Sequence, residues 1–274
     1  FSAASIHHFL CVRARVLGVL STLLLAITFI GSLWWPLEIT THFIVFYACA
    51  GLALAMGQFL LKDYRWASLT LVTAAIHFAF ILPVYLPAST TPHPDAKPIK
   101  LLLSNILSNN PDHQTILDLI KAEDPDFIVL QEVGLDWFEE LEALAPDYPG
   151  YRIIPREDMF GLAQFTRLPI EKVENAFQDK HGVPALSTTL THDSKPLHIL
   201  NMHTLPPGNA EYAATRNAQL QDATDWANAH DGPRIIIGDL NTTPWSPYFR
   251  KLMAATGLKD ARRGFGILPS WPTI

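Results

Sequence analysis

Three uninterrupted apolar stretches fill the first third of the chain: Val16 to Trp35, Phe43 to Leu61 and Trp66 to Leu86. Each approaches the roughly 20 residues that carry a helix across a hydrocarbon core of ~30 Å. Three in succession leave too little polar surface to face water, so the pattern predicts three transmembrane helices rather than a soluble bundle. A cleavable leader fits poorly, because the spans follow one another without a small-residue cleavage site.

From Ile99 the pattern changes to short apolar runs separated by polar turns. Ile99 to Leu103 and Phe127 to Leu130 read as strands, with helices from His113 to Ala122 and from Leu135 to Leu144. That is β/α alternation. Tyr151 to Ile154, Gly161 to Thr166, Ala185 to Thr191 and Leu197 to Met202 then read as an antiparallel series. A long helix from Ala210 to Ala229 leads into the strand Arg234 to Ile237. Between the two regions, the Pro-rich segment Pro87 to Pro98 predicts a semi-extended linker and the domain boundary.

Basic residues set the expected topology. Arg13 and Arg15 precede the first span, Lys62 and Arg65 lie between the second and third, and the loop Pro36 to His42 has no Lys or Arg. The positive-inside rule then puts the N-terminus in the cytoplasm and everything after Leu86 outside it, a multi-pass protein of the inner or plasma membrane. Trp34, Trp35, Tyr64, Trp66 and Tyr85 sit at span ends, where aromatic residues favour the interface. Both cysteines, Cys11 and Cys49, fall in the membrane third, so the exported domain has no disulfide of its own.

Charge narrows the ligand. Of 26 acidic and 20 basic residues, 23 and 15 lie from Pro98 onward, a net of about −8. Nucleic-acid binding leaves a basic footprint, so the balance disfavours DNA and suits a divalent cation with a small or lipid phosphate. Nothing in the sequence indicates a protein partner.

Four strand ends carry polar residues that the apolar pattern does not require: Asn105, Glu132, His203, and Asp239 with Asn241. Residues i and i+2 share a face, so Asp239 and Asn241 can enter one cleft. A carboxylate there would orient or deprotonate a water while the amide donates to a phosphate oxygen. Glu132 would be a metal ligand, because Mg²⁺ takes hard oxygen donors and few protein carboxylates. Each residue alone has a plainer reading: a turn residue at Asn105, a solvated Glu132, a structural His203, an Asx-rich turn at Gly238 to Thr243.

Together, Asn105, Gln131-Glu132, Asn201-Met202-His203 and Gly238-Asp239-Leu240-Asn241-Thr242-Thr243-Pro244-Trp245-Ser246 resemble the endonuclease/exonuclease/phosphatase superfamily with its DNase-I-like fold. The resemblance runs from Ile99 to Ile274. It implies a four-layer α-β-β-α sandwich of two mixed sheets and phosphoester cleavage dependent on Mg²⁺ or Mn²⁺. It also implies metal binding at Asn105 and Glu132, a catalytic role for His203, a water-activating role for Asp239 and phosphate contact by Asn241. Arg216 with Gln219 looks like the family's Arg-x-x-Gln, with a structural role, and Arg167 stays outside the site.

Two departures bear on activity. Leu107 stands where some relatives carry Asp, which throws the metal onto Glu132, and the family's closing Ser-Asp-His segment has no counterpart before Ile274. The expectation is weak metal binding and poor turnover by this stretch of chain. Three spans before such a domain are similar to the membrane-bound branch that includes the teicoplanin-resistance membrane proteins, which implies a polyprenyl-phosphate substrate. The leading expectation is a membrane-anchored metal-dependent phosphohydrolase. An exported nuclease and a non-catalytic membrane scaffold are its rivals.

Overall fold

The structure is a computed structural model that describes residues 2–87 and 95–270. Its contacts form two compact units, one of residues up to 90 together with those from 242 onward, the other of residues 91–241. The first run of helices is over by Tyr85, and residues 88–94 of the Pro-rich segment lie outside the described residues. The segment from 242 onward groups with the N-terminal helices instead of with the strands that precede it.

The first unit begins with α1 (Ala3–Ile30), α2 (Trp35–Thr41), α3 (Ile44–Leu60) and α4 (Tyr64–Ile81). Ser2 Oγ accepts from Ser5 N at 3.2 Å and caps α1, which starts well before the uncharged stretch at Val16. Ala3–Leu33 and Tyr64–Tyr85 are each long and apolar enough to cross a membrane. The middle candidate is broken: α2 and α3 meet at 65° and pass the same test only as a pair. Pro36 starts α2 without a lost hydrogen bond, since the first-turn amides have no partner within a helix.

Burial in these helices runs opposite to that of a water-facing bundle. Apart from Ile44 and Ile81, the inward seam is largely small or polar: Ala14, Gly18 and Ser21 on α1; Ala48, Gly51, Ala55 and Gln58 on α3; Thr70, Ala74 and His77 on α4. Large apolar side chains such as Leu20, Leu23, Phe46, Met56, Phe59 and Val72 point outward. Small residues let the helix backbones approach closely, and Gln58 Nε2 uses the proximity to donate to Ala14 O at 2.8 Å.

The second unit contains two four-stranded mixed sheets. One is built from β1 (Leu101–Asn105), β2 (Phe127–Gln131), β3 (Gly150–Ile154) and β4 (Leu162–Thr166), in the order β1-β2-β4-β3. The helices α5 (His113–Glu123) and α6 (Phe138–Glu142) fall between its strands, α6 following a 3₁₀ turn at Leu135–Trp137 where one longer helix was expected. The other sheet is β5 (Ile170–Gln178), β6 (Pro184–His192), β7 (Lys195–Met202) and β8 (Arg234–Ile237) in sequential order, with α7 (Ala210–Ala229) between β7 and β8.

Alternation along β2 explains the layering. Phe127 and Val129 pack with Leu190, Leu197 and Ile199 of the other sheet, while Ile128 and Leu130 pack with Ile120, Trp137 and Leu141 beneath the helices. On α7 the buried face is Ala213, Leu220, Ala223, Trp226 and Ala227, and Trp226 Nε1 donates to Ser187 Oγ of β6 at 2.9 Å. Two sheets face each other with helices outside, the sandwich anticipated for this region.

β5 is the strand that the apolar pattern did not predict. It lies at a sheet edge, carries Glu171, Lys172 and Glu174, and shifts register twice against β6. Charges and bulges keep such an edge from pairing with another chain, and both erase the alternation by which a strand is recognised.

The first unit also includes the segment after Asn241, which contains α8 (Pro247–Thr256). Ser246 Oγ caps that helix, accepting from Tyr248 N at 3.2 Å, and Gly257 terminates it at φ 68°. Trp245 packs among Ile44 and Ala48 of α3, Ile81 of α4 and Val84.

Leu130 is fully buried between β2 and the helix layer. Leu130→Ala is expected to cost about 3 kcal/mol through the lost burial and the cavity left behind, read as a lower denaturant midpoint for the second unit's transition in detergent-solubilised protein.

Candidate active site

Parallel pairing brings the site together. β1 and β2 run parallel with Asn105 opposite Gln131, and β7 and β8 run parallel with Asn201 opposite Ile237. Each pair therefore ends at one edge of its sheet, and the residues that follow, Glu132, His203 and Asp239, emerge there. Crevices beyond the carboxyl ends of strands are where α/β sheets bind ligands.

A buried amide pair joins the two edges. The inward row Phe127, Val129 of β2 continues as Gln131, and the row Leu197, Ile199 of β7 continues as Asn201. Gln131 Nε2 donates to Asn201 Oδ1 at 2.8 Å, with both side chains fully buried. Beyond this pair, Asn105 Nδ2 donates to Glu132 Oε1 at 2.7 Å and reaches Asp239 Oδ2 at 3.5 Å, so one amide touches a carboxylate from each sheet.

The β8 end is shaped by backbone as well as side chains. Gly238 has φ 143°, and a Cβ there would stand 1.9 Å from Met202 O and 2.9 Å from Gln131 Nε2. Asp239 Oδ1 accepts from Asn241 N at 3.0 Å, and Asp239 O accepts from Thr204 N at 2.9 Å. Asn241 is left-handed at φ 44°, a conformation Asn tolerates better than most residues. Its Nδ2 donates to Thr204 O at 2.7 Å, which engages one of the two amide hydrogens and leaves the other. Fully buried Arg216 of α7 donates from a terminal guanidinium nitrogen to Asn241 O at 2.8 Å. Gln219, one turn later, accepts from Leu205 N and donates to Asp179.

His203 is 4% exposed and lies against Phe160, with ring centroids 5.0 Å apart. Burial pushes its imidazole below the usual value, while Asp239 and Glu132 pull it upward. Its Nε2 stands 4.0 Å from Asp239 Oδ2, close enough to feel the charge but too far for a hydrogen bond.

Polar atoms buried here without a hydrogen-bond partner include Gln131 Oε1, Glu132 Oε2, His203 Nδ1 and Thr204 Oγ1. Glu132 itself sits at φ 62°, an unusual conformation for Glu that turns its side chain out of the strand at this edge. An orphaned carboxylate oxygen beside Asn105, whose amide also reaches Asp239, fits a hard cation that takes oxygen donors and retains waters. No group of three His, Cys, Asp or Glu gathers around one point among the described residues, so protein donors alone would not complete a shell.

The structure thus brings Asn105, Glu132, His203 and Asp239 to one edge and ties Asn241 to the backbone beside them. Thr204 and the Gln131–Asn201 pair were not anticipated as site components. Their signal was present, since Gln131 and Asn201 are polar at positions where the alternating apolar rows call for core residues.

Residues 102–274 match the sequence model of the Endonuclease/Exonuclease/phosphatase family. Solved structures with a similar fold include a Staphylococcus aureus beta toxin variant with bound magnesium ions, 17% identical over 60% of this chain and 72% of that one, TM-score 0.47. Sphingomyelinase C from Streptomyces griseocarneus is 17% identical over 60% and 72%, TM-score 0.47. Truncated Caenorhabditis elegans TDP2 is 18% identical over 53% and 63%, TM-score 0.46. None of the curated proteins compared with the chain matches it.

Two measurements check this geometry. Gly238→Ala is expected to destabilise the second unit by at least about 2 kcal/mol, because the positive φ and the Met202 carbonyl both oppose a Cβ. The second concerns pH in the presence of EDTA. An unfolded histidine takes a proton near pH ~6.5, whereas buried His203 takes one only at lower pH. Stability should be full above that value and decline as pH falls towards the folded imidazole's own titration, and His203→Gln should remove this part of the decline.

Proposed function

The chain belongs to the Endonuclease/Exonuclease/phosphatase family, and from that premise we propose a membrane-anchored, Mg²⁺-dependent hydrolase of extracytoplasmic phosphate esters, with lipid-linked phosphates as the substrate class. The observation that carries this reading is the orphaned Glu132 Oε2 at an edge where Asn105 touches both Glu132 and Asp239 beside a buried histidine.

Glu132, with Asn105, would hold Mg²⁺, whose charge polarises a phosphoryl oxygen. Asp239 keeps Oδ1 on the Asn241 amide, which leaves Oδ2 to accept a proton from the attacking water as its oxygen bonds to phosphorus and the ester P–O bond breaks. His203, favoured neutral by burial, has an N–H to offer a phosphate oxygen as negative charge develops there. The remaining amide hydrogen of Asn241 can serve the same charge.

Support for the membrane comes from the inverted burial of α1, α3 and α4 and from the large apolar side chains on their outward faces. Arg13 and Arg15 lie in the first half of α1 and Lys62 and Arg65 at the turn between α3 and α4, where Arg15 pairs with Asp63 at 2.7 Å, and the positive-inside rule assigns that side to the cytoplasm. The acidic balance from Pro98 onward favours a small or lipid phosphate over polyanionic DNA.

The test is Mg²⁺-dependent phosphate release from a polyprenyl diphosphate by the full-length protein in detergent. Asp239→Asn should lower kcat/KM by about 10²-fold or more, and Glu132→Gln should raise the Mg²⁺ needed for half-maximal rate by about tenfold. Absence of release by folded protein that nicks plasmid DNA would replace the lipid reading with the nuclease one.

A further inference from the structure

The loop that carries Asp239 and Asn241 continues into a contact made by the short helix between the first two apolar stretches. Glu38 of α2 is 1% exposed, yet it lies in a seven-residue helix flanked by apolar segments. Its Oε1 accepts from Ser246 Oγ at 2.7 Å, and Ser246 is fully buried. His42, one turn after Glu38, places Nε2 3.2 Å from the same oxygen, without hydrogen-bond alignment. The other ring nitrogen, His42 Nδ1, meets Thr243 Oγ1 at 2.9 Å.

Thr243 and Ser246 belong to the run Gly238 to Ser246, two and five residues after Asn241. Trp245 between them is packed among Ile44, Ala48, Ile81 and Val84. Further along, Gly264 N and Gly266 N donate to Val84 O at 2.9 and 3.0 Å. Apolar packing and backbone bonds would hold this segment by themselves, so the acid and the imidazole need another reason. Burying a carboxylate costs several kcal/mol unless it is paired and hydrogen-bonded, and such a pair contributes less to stability than to selecting one arrangement.

We propose that Glu38 and His42 are positioning residues: an acid–imidazole latch that, through Ser246 and Thr243, fixes the loop bearing Asp239 and Asn241 in its working conformation. The latch enters from residues that precede the family's matched region at 102–274. Asn241 is left-handed and Gly238 cannot accept a Cβ, so this loop has few conformations to share, and displacement by about 1 Å at a reacting group can cost up to ~10²-fold in rate. The kinetic consequence rests on the phosphohydrolase reading, whereas the loop's order does not.

The experiment uses full-length protein in detergent, with two readouts: hydrogen–deuterium exchange of peptides covering 238–246, and Mg²⁺-dependent hydrolysis of bis(4-nitrophenyl) phosphate, a water-soluble probe indifferent to membrane contact. Glu38→Ala, and the near-isosteric Thr243→Val, should each raise exchange in 238–246 while peptides from α1 and α3 exchange as in the wild type. Both should lower kcat about tenfold or more with KM within twofold, and Glu38→Gln, which still accepts from Ser246, should recover most of the loss. Wild-type exchange in both Glu38→Ala and Thr243→Val would overturn the latch, as would a uniform rise across α1 and α3 in Thr243→Val. If the wild type hydrolyses neither this probe nor polyprenyl diphosphate, the phosphohydrolase reading falls, and exchange alone then upholds or overturns the latch.

Discussion

The hydrogen bond between Gln131 and Asn201 is the constraint on which the rest of the second unit's geometry depends. Apolar rows can slide past one another at small cost, because dispersion is indifferent to which methyl meets which. A fully buried amide pair is not indifferent, since a shift of either sheet would strand a donor and an acceptor away from water. The bond sits where the inter-sheet core gives way to the cleft, and it fixes the distance between the edge that ends in Asn105 and Glu132 and the edge that ends in His203 and Asp239. Gly238 adds a second check, because its bare Cα lets the β8 end approach both the Met202 carbonyl and the Gln131 amide.

That fixed frame holds conformations the chain would otherwise avoid. Glu132 at φ 62° and Asn241 at φ 44° are left-handed without being glycine, at a cost on the order of 1 kcal/mol or more each. The parallel registers of β1 with β2 and of β7 with β8 hold the strands behind them, and Arg216 clamps the Asn241 carbonyl from α7. Strain of this kind aims a side chain. Glu132 turns out of its strand to leave one oxygen unpartnered, and Asn241 turns so that its side-chain amide meets the Thr204 carbonyl just beyond β7.

Much of this was legible in the sequence, for reasons that can be named. β2 announces itself because both of its faces are buried and every position but the last is apolar, and α7 has the bounds its pattern predicts, Ala210–Ala229. The four strand-end polar residues were readable because a carboxylate or imidazole has no place in an apolar row. β5 was not readable, since Lys172, Glu174 and two bulges conceal an edge strand. The helix expected over Leu135 to Leu144 begins instead as a 3₁₀ turn around buried Trp137. Backbone handedness at Glu132 leaves no mark in residue type. Nor does the grouping of the chain after Asn241 with the N-terminal helices, because the contact between Glu38 and Ser246 joins positions 208 residues apart. A lone acid and a histidine four positions apart in the loop between two apolar stretches were the visible hint.

That long-range grouping bears on how the molecule is made. During synthesis α1 to α4 leave the ribosome before the strands, with Ile44, Ala48, Ile81 and Val84 awaiting a Trp245 that does not yet exist. All of β1 to β8 must be translated before the missing piece arrives. At ~5–20 residues per second that interval is on the order of ten seconds or more, during which the helices present an unfilled apolar seat and an unshielded Glu38. The sandwich can complete its own sheets in that time, because its strands pair only with one another. A segment synthesised after the sandwich therefore closes a unit begun before it, and a chain interrupted before Trp245 would leave that apolar seat unfilled.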